Sequence, residues 1–241
     1  MGNCIVGQPG CSPILVLGFI ETQSPHVLRQ AVLRLHKEVM ADRYLNQFQS
    51  SRKTAVAFHA KDDGPVVRYL FYLFYKLITT LEFKAQFIVA RKIERIFRNN
   101  FRGKETKFYD SLITNLFQNV LHRYRHNHII FSKRGSRERR KPLEQAIWKA
   151  KGRFEKNHQV GVDVTTFKIM PETPVGEPCL SIIDYMNWAV YRAFTAKDMA
   201  HYNFVSEKVS FLRDIYDSDA SLYSRKNPFD ISKAAPLELG S

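Results

Sequence analysis

An α/β domain, with helices covering a mostly parallel or mixed sheet, is the fold class the sequence predicts. Three observations predict it. Short apolar, β-branched runs alternate with longer segments of helical period. The connections between them are short. The 241 residues are 44% hydrophobic with 18 Phe, enough to bury a sizeable core. No interior linker is evident, so residues 1–217 are expected to form one domain and residues 218–241 a loose tail.

In chain order, Ile14 to Ile20 reads as a buried strand. Ser24 and Pro25 then offer a cap and a first helical residue, and Val27, Ala31, Leu35 and Val39 give one apolar face. Thr54 to Ala60 alternates like a strand. Asp62-Asp63-Gly64-Pro65 breaks the chain before an aromatic, largely buried helix from about Val66 to Leu81. Phe83 to Ala90 is a third strand, Glu105 to His122 an amphipathic helix and His128 to Ser132 a short strand. A helix from Pro142 to about Lys156 and a strand from Asp163 to Met170 follow. Two helices, Cys179 to Phe194 and Asp198 to Tyr216, complete the expected set.

The formal net charge is +14, and its placement is uneven. Residues 84–156 hold 20 Lys and Arg against 6 Asp and Glu, so this stretch carries the whole excess. A concentrated positive field attracts a polyanion, and nucleic acid is the expected partner. Lys133, Arg134, Arg137, Arg139, Arg140 and Lys141 form one basic cluster. Arg91 and Arg95 belong to a second, with Lys92, Arg98 and Arg102. Arginine forks suit phosphate oxygens and give affinity without base choice. The alternatives are a solvated surface or a polybasic membrane contact.

Several classes lack support. GxxxxGK[ST], GxGxxG and GxSxG are absent. The apolar run Pro13 to Ile20 is too short to span a bilayer and lacks preceding basic residues, so no membrane partner is expected. Gly2 and Cys4 invite lipidation, but Val6 stands where the myristoylation signal has Ser or Thr. Three cysteines fit a reducing cytoplasm better than a disulfide framework.

Asp184 is the leading candidate for chemistry. It interrupts an apolar helical run, and its neighbours four residues away, Leu180 and Trp188, offer no cation. It is read either as a catalytic or metal-binding carboxylate or as a structural Asp bonded to backbone or to an Arg. Asp62 and Asp63 are possible second acids or a helix cap. Glu177 is a second ligand or an acid at a helix N-terminus. His59 is a general base, a ligand or a structural residue. His122, His126 and His128 lack zinc-site spacing and are read as solvent-facing.

The run Gly176 to Ala189 resembles the C-terminal signature of the domain of unknown function 3800 family. Phe58-His59-Ala60, Arg68, Ile130-Phe131, Arg134-Gly135-Ser136, Arg139 and Arg192 follow that family's order, over about residues 7–217. The resemblance implies a ribonuclease-H-like mixed sheet flanked by helices, and kinship with nucleases that use Mg²⁺ or Mn²⁺. Asp184 would then be a metal ligand. One departure stands out: Cys4-Ile5-Val6 occupy the place of the family's Asp-Glu-Ser, before Gly7-Gln8-Pro9-Gly10. The expectation is a metal-dependent nuclease or degenerate relative. The alternative is a catalytically inactive nucleic-acid-binding or protein-interaction module.

Overall fold

A long apolar run in a strand must find cover on both faces, and the runs of the first two strands do so. In a computed structural model, which describes residues 11–43, 57–60, 68–133, 140–159, 165–217, 222–224, 226–234 and 237, β1 (Ile14–Glu21) pairs antiparallel with β2 (Lys84–Arg91). Strand β2 pairs parallel with β5 (Val209–Asp214), and β5 antiparallel with β6 (Leu222–Ser224), giving the order β1-β2-β5-β6. Strands β3 (His126–Ser132) and β4 (Thr166–Glu172) form a separate parallel pair. The expected mixed sheet flanked by helices is therefore present.

Side-chain alternation sends Ile14, Val16, Phe87 and Val89 to one face and Leu15, Leu17, Ile88 and Ala90 to the other. The first face is covered by α1 (Pro25–Ala41), α2 (Arg68–Thr80), α6 (Cys179–Ala196) and α7 (Ala200–Val205). Its core is aromatic, with the Phe74 and Tyr185 rings stacked at 4.1 Å. The second face is covered by α3 (Glu94–Phe101), α4 (Glu105–Phe117) and α5 (Arg140–His158), through residues such as Leu112 and Ile147. Residues 84–156 span that second layer.

Several expectations are corrected. Helix α1 begins at Pro25, but its buried stripe is Leu28, Val32, Leu35 and Val39, so Val27 faces solvent. The Ser24 side chain makes no cap; its carbonyl accepts the Val27 N–H instead. In α2, Phe71, Phe74 and Tyr75 are buried while Tyr69 and Tyr72 are exposed.

The expected helix from Asp198 to Tyr216 is instead α7, a 3₁₀ turn at Ser206–Lys208 and β5. The register slips between Ala85 and Gln86, leaving Ser210 as an extra residue opposite β2. Val209 and Leu212 thus share a face three residues apart, a spacing that imitates a helix. The expected loose tail contributes β6, and Tyr223 and Phe229 are buried.

Residues 54–56 of the expected second strand lie outside the described residues. Residues 57–59 are not in a strand, and Ala60 is helical. Helix α6 supplies their backbone partners: Ser181 Oγ donates to the Phe58 carbonyl at 2.9 Å, and the Ala60 N–H donates to Asp184 Oδ2.

The seam between β1, β2 and α6 closes at Gly18. A Cβ there would sit 2.4 Å from Phe87 Cδ1 and 2.9 Å from Asn187 Oδ1. Gly18→Ala is expected to lower the unfolding free energy by about 1–3 kcal/mol through overpacking. Urea denaturation would read this as a lower midpoint; an unchanged midpoint would rule out the close approach.

Candidate functional site

Asp184 lies on the outer flank of α6, one residue from the buried Tyr185 and two from Ile182 and Met186. Its side chain is 37% exposed, so the burial expected from its apolar neighbours is not what satisfies it. Oδ2 accepts the Ala60 N–H at 2.8 Å, and His59 Nδ1 stands 3.9 Å from the same oxygen. Among the described residues, no hydrogen bond reaches Oδ1. The carboxylate thus anchors the 57–60 segment by one oxygen and presents the other. Beneath it, burial, followed by the charges of Asp184 and Asp198, pushes the Tyr75 phenol well above its ordinary range; that hydroxyl donates to the Tyr185 carbonyl.

The Glu177 carboxylate is engaged by its own neighbours at the start of α6. It is buried, and Arg29 grips it through Nε and Nη2 at 2.8 Å and 2.6 Å to Oε2. The Cys179 N–H donates to Oε1, so Glu177 also satisfies a donor at the start of α6. Burial opposes its ionisation, but the Arg29 bonds and the Cys179 contacts together outweigh that and hold the carboxyl below its ordinary value. The neighbouring Cys179 thiol is pushed up to about 12, mainly by burial, and stays protonated.

Asp62, Asp63, Arg134, Arg137 and Arg139 lie outside the described residues. Among those described, no group of three His, Cys, Asp or Glu could hold a metal ion. Asp184 with His59 alone falls short of the multiple oxygen ligands that Mg²⁺ or Mn²⁺ requires. His122 stacks on Phe154 with ring centroids 4.0 Å apart, and His126 meets Thr166 Oγ1 at 2.9 Å.

Arg91 is also corrected. It ends β2, is buried, and is held by Asp214 at 2.9 Å and Asp217 at 3.2 Å, out of reach of a phosphate backbone. Burial pushes the Asp214 carboxyl up, and the Arg91 charge and hydrogen bond oppose it. The helix-like spacing of their segment hides Asp214 and Asp217 in the sequence. The β-like run Val209 to Leu212, followed by an acid, is the signal that could have found them.

The remaining cations behave differently. Arg95, Lys133, Arg140 and Lys141 are exposed, and Arg140 pairs with Glu144 at 3.0 Å. Arg102, Lys104, Lys107, Lys149 and Lys156 are exposed on or beside α3, α4 and α5 and carry no ion pair among the described residues. This basic layer and the α6 layer that bears Asp184 cover opposite faces of the sheet.

Searches of protein-family models, curated proteins and solved structures each find no match to this chain. No helix among the described residues is long and apolar enough to cross a membrane.

Because the Glu177 pKa is depressed on folding, the Arg29 pair stabilises the fold above the ordinary glutamate pKa of about 4.3 and loses that effect as pH falls through the lower folded value. Arg29→Ala is expected to cost about 1–3 kcal/mol at neutral pH, discounted because Arg29 is partly exposed. Denaturation midpoints from neutral to acid pH test this: the gap between wild type and variant should shrink on acidification. A gap that stays constant would contradict the pairing.

Proposed function

We propose that this protein binds nucleic acid through the layer formed by α3, α4 and α5. One observation carries the reading. The entire charge excess lies in residues 84–156, and the helices of that stretch, α3, α4 and α5, cover a single face. Such a surface neutralises phosphates, releases counterions and binds without base choice. The exposed Arg and Lys side chains with no internal partner are the ones that meet the backbone.

A second reading is phosphodiester hydrolysis at Asp184. It draws on the resemblance to the domain of unknown function 3800 family, and with it a ribonuclease-H-like arrangement using Mg²⁺ or Mn²⁺. The partly exposed Asp184 side chain, the adjacent His59 and the acids at positions 62 and 63 of the sequence favour it. The described residues do not make up a hard-cation site, so no step through a metal is derived. The position of Asp184 on the face opposite the basic layer favours binding as the primary function.

Anisotropy titrations of a labelled duplex oligonucleotide across a salt series test the first reading. The affinity is expected to fall steeply with salt. Combined Arg95→Ala, Lys107→Ala and Lys149→Ala should flatten the log–log slope by roughly 0.9 for each phosphate no longer neutralised. Salt-independent binding, or none at low salt, would rule it out. Asp184→Asn is expected to leave that affinity unchanged within about twofold, since surface substitutions outside an interface are near neutral. If added Mg²⁺ or Mn²⁺ brings cleavage that this variant abolishes, the second reading stands.

A further inference from the structure

On the face that carries the basic layer, the sheet is not fully covered at the start of β2. A cleft of about 460 Å³ opens there, lined by Glu21, Lys84, Gln86, Arg123, Tyr124 and Phe211 among others. Its size falls within the range of small-molecule sites. Gln86 is the informative residue. It is only 4% exposed, yet its carboxamide makes no hydrogen bond among the described residues. The carboxamide is not enclosed: it reaches the cleft, where it can bond to what enters.

The surroundings define the chemistry. Phe211 is the register partner of Gln86 on β5, so its ring neighbours the carboxamide. The Tyr124 ring is fixed because its hydroxyl donates to Glu21 at 2.7 Å. Arg123 pairs with the same carboxylate at 3.1 Å. Lys84, the register partner of Glu21, is exposed at the rim and has no ion pair among the described residues. A carboxamide that can donate and accept at once, two aromatic rings and an unpaired ammonium together match a planar heterocycle carrying a phosphate.

We propose that this cleft takes one unpaired nucleobase of a single strand, with Gln86 bonding the base edge, Phe211 and Tyr124 contacting its face and Lys84 holding a phosphate. The proposal rests on the nucleic-acid reading above and adds to it. The basic layer supplies affinity for backbone, and the cleft supplies preference for an unpaired base.

The test is calorimetric titration of the full chain with adenosine 5′-monophosphate and with ribose 5-phosphate, beside the duplex anisotropy assay. Adenosine monophosphate is expected to bind about tenfold or more tightly than the sugar phosphate, because only the base meets Gln86. Gln86→Leu should abolish that preference while leaving duplex binding intact. Lys84→Ala, an exposed change that spares the core, should weaken both phosphates together. A single-stranded adenine oligonucleotide should displace the bound nucleotide. Equal binding of the two phosphates, a preference that survives in folded Gln86→Leu, an unaffected Lys84→Ala or failure of the oligonucleotide to compete would each overturn the proposal. Wild type that binds duplex without base preference removes the cleft alone, whereas wild type that binds neither removes both readings.

Discussion

Strand β2 is buried from Ala85 to Arg91, and both helical layers depend on it. Alternate residues of the strand must satisfy two cores at once, so its apolar run leaves no solvent face. The same burial dictates what happens where the run ends. Arg91 would be a bare buried charge without Asp214 and Asp217, and β5 and the residues after it place both carboxylates against it. Gly18 serves the same constraint on the other side, allowing Phe87 to lie over β1 while Asn187 of α6 approaches. The arrangement of β1, β2, β5 and α6 is thus one packing problem with one set of solutions.

That constraint also sorts the charge. A sheet closed on both sides has two outer helical surfaces, and the chain assigns its basic stretch to one of them. Asp184 and the Arg29–Glu177 pair belong to the other. The basic layer and Asp184 are therefore separated by the thickness of the sheet. The cleft at Gln86 opens on the basic side, away from Asp184.

Much of this was legible in the sequence, for physical reasons. The runs of β1 and β2 and the periodic stripes of α4 and α6 encode burial directly. The charge clustering encodes the basic layer. Strand β5 was not legible, because a bulge at Ser210 gave it helix-like spacing. Nor was the fate of individual charges. Arg91 sits among surface arginines in sequence, yet it is buried. Glu177 reads as a candidate ligand, yet it is bound by Arg29, 148 positions away. The partner of Asp184 is a backbone amide, which no side-chain pattern can announce. Long-range pairing decides which charges remain available, and single-sequence periodicity does not contain it.

Hydrogen exchange of the full chain with and without a bound oligonucleotide tests the division of labour most directly. New protection is expected in α3, α4 and α5 and at the start of β2, with exchange across α1 and α6 unchanged. Protection concentrated on α6 and residues 57–60, with none on α3 to α5, would contradict it.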